Sequence, residues 1–481
     1  MSAGVPELLA RIIRETPELA HSYLVGGCVR DSLLGIPNKD FDIEVFRVTY
    51  EQLVHALARW GKTDLVGRSF GVVKLAVAGG AVFDFTIPRR DSKIAPGHKG
   101  FESRLEPDIS PKEAAERRDF TINALMYDPR SDQVLDFFGG LKDLRVRVLR
   151  HTSAAFVEDP LRVLRGMQLA ARFNLSPAPA TVELCRSIKA GYAELAFERV
   201  REEWFKWASK STVPSAGLRF LEATEWLEHF PELQALQGTP QEPAWHPEGD
   251  VFAHTCHCCD ALVKMPEWQA ADGQSRIVYS FAILTHDFGK AHTTQTALKG
   301  GELRLVSPGH EEVSVELAEA FLARLRAPEA VVKRVLPLVR NHMAHLQTVT
   351  DRSVRRLARR LDPENIQGLS LVMTADAMGR PPIPPKVPEI VTALQAKAAE
   401  LQLQGSAPKP ILMGRHVIAL GMQPGPELGL ILHEAFNAQI EGAFINLDQA
   451  FQWLARNEQI NLPVRVRAAL LQMNPPMEKS S

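Results

Sequence analysis

Two nearby stretches restrict the fold more than any other part of the chain: Tyr23-Leu24-Val25-Gly26-Gly27-Cys28-Val29-Arg30 and, one short connection later, Lys39-Asp40-Phe41-Asp42-Ile43-Glu44-Val45. The first is an apolar strand that breaks on a glycine pair and continues as a helix over Val29–Leu34, closing near Gly35. The second alternates acidic and apolar residues and predicts a strand over Phe41–Phe46. Val72–Val77 and Ala81–Ile87 extend the pattern as a hairpin about Gly79-Gly80. A small α/β unit follows, after a lead-in helix within residues 1–22. Side chains two apart on a strand share a face, so Asp40, Asp42 and Glu44 are expected together. Carboxylates so crowded repel unless a cation lies among them. Oxygen ligands shared with substrate phosphates suit Mg²⁺, and paired ions can activate a hydroxyl and stabilise departing pyrophosphate. Asp40 and Asp42, with Asp84 from the hairpin, are the candidate catalytic carboxylates. Gly26 and Gly27 let the backbone approach a phosphate at a helix start. Arg30, one turn in, reaches the same anion. A lone glycine pair is usually only a turn, and a lone DFD a solvated strand face; their order here sets this chain apart.

The chain has 481 residues, too many for one core. Residues 91–111 lack periodicity and are expected to form a mobile loop, and from about 112 onward the pattern is helical almost throughout. Breaks rich in proline and glycine near 238–249, 380–388 and 404–409 suggest boundaries. No stretch approaches the roughly 18 apolar residues of a membrane span, and the N-terminus lacks a secretory pattern, so a cytoplasmic protein without membrane contact is expected. Five cysteines do not make a disulfide framework; Cys256, Cys258 and Cys259 are expected as small buried side chains on a helix. A net charge of −1 argues against a globally basic RNA-binding surface, but basic residues cluster at 142–172 and again at Arg352, Arg355, Arg356, Arg359 and Arg360. Either cluster also fits a solvated helix face.

A second constellation lies downstream: His254, His286-Asp287, His310, His342 and Asp376. Any one histidine is more often a satisfied core residue than a ligand. Together, imidazoles and carboxylates suit a transition metal better than Mg²⁺. Such a metal acidifies water and polarises a phosphoryl group. Lys290, one turn after the doublet, can steady a phosphate, while His257, His292 and His345 leave the ligand choice open.

YLVGGCVRDSLLG…KDFDIEV, ERRDFTINAL at 116–125 and EDPLRVLRGMQLAARF at 158–173 resemble, in order, three motifs of class II CCA-adding enzymes and bacterial poly(A) polymerases. The resemblance covers most of residues 22–175. It implies a polymerase-β-like α/β nucleotidyltransferase head, then mostly α-helical neck, body and tail. It implies triphosphate binding at Gly27 and Arg30, Mg²⁺ at Asp40 and Asp42, and nucleotide contacts at Arg118, Asp119 and Arg165. Asp159 and Arg162 lie one helical turn apart and face the same way. A carboxylate accepts from an amino group and a guanidinium donates to a ring nitrogen or carbonyl. Cytosine and adenine both offer an amino donor beside a ring-nitrogen acceptor; guanine and uracil offer the reverse. One Asp/Arg pair can thus admit C and A. Asp159 before Pro160 also suits a helix cap, and both roles can hold together.

The later His/Asp series resembles the HD phosphohydrolase superfamily, and the fusion resembles gamma-proteobacterial CCA-adding enzymes. That resemblance implies metal ligands at His254, His286, Asp287, His310, His342 and Asp376, holding Ni, Mn, Co or Fe. It implies hydrolysis of 2′,3′-cyclic phosphates and other phosphoesters, and repair of damaged RNA ends. The expected layout is a head at 1–150, a helical neck and body at 151–240, an HD domain at 241–385 and an RNA-binding helical tail at 386–481. Expected partners are tRNA, CTP and ATP, with monomer and homodimer both open. Rivals are an enzyme that adds only A, a poly(A) polymerase and, more distantly, a signalling nucleotidyltransferase fused to a hydrolase. The tail is not strongly basic and an HD-like series is fused, which does not fit a poly(A) polymerase; the glycine motif differs from that of the uridylyltransferases, and the HD-like series follows the head instead of leading it.

Overall fold

In the computed structural model the strand ahead of the glycine pair and the acidic strand lie in one mixed sheet; the structure describes residues 4–38, 40–64, 71–93, 101–344 and 348–473. In chain order the N-terminal strands are β1 (Ser22–Val25), β2 (Asp42–Val45), β3 (Gly61–Asp64), β4 (Val72–Val77), β5 (Val82–Thr86), β6 (Arg89–Lys93), β7 (Phe101–Leu105), β8 (Met126–Asp128) and β9 (Gln133–Leu135). The main sheet runs β3-β4-β5-β2-β1-β8-β9. β1 is antiparallel to β2 and β8, whereas β2 and β5 are parallel, with Asp42 opposite Asp84. Alternate residues Ile43, Val45, Val73, Leu75, Phe83 and Phe85 enter the core, packing with Leu9, Ile12 and Ile13 and with Leu53 and Leu57 from two covering helices. The opposite face carries Asp42, Glu44 and Asp84 beside a smaller apolar cluster of Val25, Phe46, Ala115 and Met126.

One expectation is corrected here. Residues 91–111 are not all loop: β6 and β7 pair antiparallel from Arg89↔Leu105 to Lys93↔Phe101, and a helix starts at Pro111 behind a Ser110/Glu113 capping box, while 94–100 lie outside the described residues. RRDSK and FESRL alternate too weakly to show a strand period. After 112 the chain is mostly helical, as expected; the exceptions include β8 and β9, which complete the sheet, and Gln295–Lys299, which pairs with Glu302–Val306 as a hairpin. All four are short and carry no long alternating run.

The chain forms two compact units, Met1–Gln234 with Arg324–Arg326, and Ala235–Ala323 with Ala327–Ser481. In the first, the Leu161–Phe173 helix packs between the Phe197–Lys210 and Pro214–Ala223 helices, with Trp204, Trp207 and Phe220 fully buried. In the second, helices Val251–Leu262, Gly273–Thr285, Glu329–Asn341 and Ile366–Met378 pack together. Helices near its C-terminal end share a core that includes Leu412, Val417, Ile431, Phe444 and Leu454. Among the described residues no helix is long and apolar enough to cross a membrane.

Candidate active sites

Gly26 ends β1 with φ at +76°, where a side chain is strained, and an added Cβ would lie 2.9 Å from Arg118 Nη1. Glycine therefore admits an arginine against the backbone at the start of the Gly27–Leu33 helix. Gly26, Gly27, Arg30, Asp42, Arg118, Asp119, Asp159, Arg162 and Arg165 all line one cavity of about 440 Å³. Its wall also carries Arg117, Arg172, Arg199 and Lys206, so cations dominate it, as a polyanionic ligand requires.

Several of these side chains hold one another. Buried Arg30 donates to Asp31 at 2.8 Å and to Asn123, and lies over the Phe173 ring. Asp119 accepts from Arg165 at 2.7 Å and from Asn123 at 2.9 Å. Burial works against its charge, but Arg165 and these hydrogen bonds keep its carboxyl below the ordinary range. Asp159 accepts from Leu161 N–H at 3.1 Å, the expected capping contact, and from Arg199 at 2.6 Å. Arg162 donates to the carbonyls of Ala155 and Arg117.

The acidic strand differs in detail from its sequence-based reading. β2 begins at Asp42, so Asp40 lies before the strand, exposed, rather than within the alternation. Glu44 meets Arg118 at 3.4 Å, and Asp84 pairs with Lys74 at 2.9 Å. Asp42 reaches solvent, yet partial desolvation, Asp84 and Asp40 raise its pKa against the pull of Arg118. Asp42 and Asp84, abreast on parallel strands, form an oxygen donor set whose mutual repulsion a hard divalent cation relieves.

The second site is built from helix termini. His286 Nδ1 contacts Ile283 O at 2.7 Å, His310 Nδ1 contacts Ser307 O at 2.8 Å, and His342 Nδ1 contacts Val339 O at 2.6 Å. Each Nδ1 therefore carries the proton and each Nε2 keeps a lone pair for the site. His310 Nε2 and His342 Nε2 face one another at 3.2 Å, and His286 Nε2, buried, makes no hydrogen bond. Lone pairs in this arrangement fit a metal cation. Ligand atoms of Asp287, His310 and His342 lie within 4.8 Å of one another, as do those of His254, Cys258, His286 and Asp376. Asp287 Oδ2 stands 3.6 Å from His254 Nε2 and links the two groups. Although fully buried, Asp287 is held well below the carboxylate range by His286 and Lys290, and Asp376 likewise by His254 and Arg380. Both are thus held charged.

All six sequence candidates converge there, and Lys290 approaches Asp287 at 2.7 Å while donating to Gln241. Neither His257 nor His292 joins these groups among the described residues, and His345 lies outside them. Sequence reasoning missed Glu248, which takes His254 Nδ1 at 2.7 Å and His246 Nδ1 at 2.9 Å. It missed Arg380, 2.8 Å from Asp376. It also took Cys258 for packing alone, whereas its Sγ lies 3.3 Å from His254 Nε2. His-Pro-Glu ahead of His254, and the i,i+4 spacings His254/Cys258 and Asp376/Arg380, were the available signals.

A carboxylate-bearing mixed sheet with a glycine-led helix, followed in the same chain by a helical His/Asp metal site, defines a nucleotidyltransferase carrying a metal-dependent hydrolase-type domain. The poly A polymerase head domain profile matches residues 22–150 and the HD domain profile residues 256–378. The multifunctional CCA protein of Xanthomonas campestris pv. campestris (strain B100) is 35% identical over 433 residues, covering 88% of this chain and 98% of that protein. That of Methylococcus capsulatus (strain ATCC 33009 / NCIMB 11132 / Bath) is 36% identical over 372 residues, covering 75% and 82%. In fold, the chain is similar to the Bacillus stearothermophilus CCA-adding enzyme in complex with CTP, with TM-score 0.64, 21% identity and coverage of 94% and 97%. The chain belongs to the multifunctional CCA protein family, and is an enzyme of the CCA tRNA nucleotidyltransferase class with an HD domain.

Proposed function

We propose that the head and the helices after it add C, C and A to the 3′ end of tRNA from CTP and ATP. The observation that carries this reading is that Asp159 and Arg162 line the same cavity as Gly26, Gly27 and Asp42. The RNA 3′-hydroxyl attacks the α-phosphorus; a new P–O bond forms as the α–β bond breaks, and pyrophosphate leaves. Asp40, Asp42 and Asp84 hold Mg²⁺, which when bound supplies hydroxyl activation and charge neutralisation. Arg118 and Arg165 hold the nucleotide. Asp159 accepts from the base amino group with a lone pair left free by Arg199, while Arg162 donates to the ring nitrogen or carbonyl. The segments 1–150, 151–240, 241–385 and 386–481 divide into head, neck and body, HD domain and RNA-binding tail, in a cytoplasmic enzyme.

The HD site hydrolyses phosphoesters such as 2′,3′-cyclic phosphates, and contributes to repair of damaged RNA ends. Its ligands suit Ni, Mn, Co or Fe, which when bound supplies an acidified water and a polarised phosphoryl group. Lys290 and Arg380 steady the non-bridging oxygens.

Extension of a tRNA transcript lacking its 3′ end, resolved to single nucleotides with each triphosphate alone and mixed, tests the head. The expected product is C, C and A followed by a stop. Addition of A alone to RNA already ending in CC, or a long A ladder, would replace this reading with an A-adding enzyme or a poly(A) polymerase.

A further inference from the structure

Several residues of the HD group line a larger cavity. It measures about 670 Å³ and is lined by Asp287, His310 and His342, but also by Trp245, Met343 and Ile390. That volume lies in the range of about 300–1,000 Å³ usual for small organic ligands, and far exceeds the need of a bare phosphate. Its lining is of two kinds. Lys290 and Arg380 stand beside the Asp287 and Asp376 carboxylates, whereas Trp245, Met343, Met373, Pro388 and Ile390 give apolar surface. A ligand matching this wall has an anionic end and a flat or apolar end.

Trp245 is placed to meet the second. It is 47% exposed, whereas Trp204, Trp207 and Trp226 are fully buried in the core. Its chain neighbour His246 is anchored in the site, with its ring 4.7 Å from that of His254 and Nδ1 on Glu248. The rest of its loop is pinned as well: Gln241 accepts from Lys290 at 2.9 Å, and Glu242 accepts from Leu305 N–H at 3.0 Å. Arg304 stands 5.6 Å from the Trp245 ring centroid. The indole is therefore carried by a loop tied at Gln241, Glu242 and His246 to the residues around the HD group.

We infer that Trp245 is a nucleobase platform for the HD site, stacking the base of a nucleoside phosphate whose phosphate lies on the Asp287/His310/His342 group. The inference rests on the phosphoester-hydrolase reading of that site. Every base has a π-face, so stacking tolerates sequence and accepts any 3′-terminal nucleoside. Selection is then for nucleosides over other phosphoesters, not for one base over another.

The test compares two five-membered cyclic esters on the metal-loaded full chain: cytidine 2′,3′-cyclic phosphate, and glycerol 1,2-cyclic phosphate, which has no base. The wild type is expected to show the lower KM for the cytidine ester. Trp245→Ala should shrink that preference about fivefold or more through KM, with kcat little changed, and Trp245→Phe should restore most of it. An unchanged KM ratio in Trp245→Ala, or a loss confined to kcat, would overturn the platform. Calorimetric binding of cytidine 2′-monophosphate is measured alongside. If neither ester is hydrolysed, the hydrolase reading fails; weaker nucleotide binding in Trp245→Ala then still supports the platform, and equal binding overturns it.

Discussion

The head and the HD unit both gather groups for phosphate chemistry, but from opposite materials. In the head, Asp42 and Asp84 project from neighbouring strands, Asp84 is occupied with Lys74, and Asp40 is exposed before the strand. In the HD unit the donors are mostly imidazoles on helices, buried and fixed in tautomer by the carbonyls of Ile283, Ser307 and Val339. On the proposed reading, the head holds a hard ion between carboxylates and substrate phosphates, whereas the HD site draws most of its donors from imidazoles that suit a softer ion and keeps a position open for water.

Metal exchange gives the largest effect that can break this comparison. After exhaustive chelation, Mg²⁺ alone should restore nucleotide addition to within about twofold but leave hydrolysis at least about a hundredfold down, with elemental analysis showing no transition metal. Hydrolysis fully restored by Mg²⁺ would remove the distinction.

Next comes the ion pair between Asp119 and Arg165. Asp119→Ala leaves Arg165 with only Glu203 at 4.0 Å and should destabilise the first unit by about 1–3 kcal/mol in urea unfolding. The pH dependence has a definite sign. Asp119 has a depressed folded-state pKa, so its contribution is present above the unfolded value of about 3.9 and is lost as pH falls through the lower folded value. Asp119→Asn should flatten that acid limb; an unchanged limb would show that the pair contributes nothing to acid stability.

A smaller effect concerns base choice. Asp159→Asn keeps a cap and a side chain of the same shape but replaces one acceptor with a donor. Misaddition of G or U should rise about tenfold or more relative to C and A. Uniformly slower addition with selectivity intact would assign Asp159 to capping and to Arg199 alone. The smallest effect is expected at the second basic cluster, where Arg356 and Arg352 pair with Glu441 and Arg359 with Asn437. Arg356→Ala should change stability by under about 1 kcal/mol, since the pair is exposed.

Residue types and their order made much of this legible. GG…R…DxD marked the sheet's turn and its acidic strand because glycine and alternation have local geometric meaning. The six HD candidates were legible as a set, and they do converge. What escaped depends on long-range placement. No local pattern shows that Lys74 lies beside Asp84, or that Arg199 returns to Asp159 from another helix. β6 and β7 carry too little apolar alternation to announce themselves. Asp40 was assigned to a strand face because the alternation reaches it, whereas the pairing starts only at Asp42.

The central claim is that one chain holds two independent active sites, and paired assays of Asp42→Ala and Asp287→Ala test it most directly. Asp42→Ala should lower nucleotide addition by at least about a thousandfold and leave HD hydrolysis within twofold of wild type. Asp287→Ala should do the reverse. Loss of both activities in either folded variant would contradict the account.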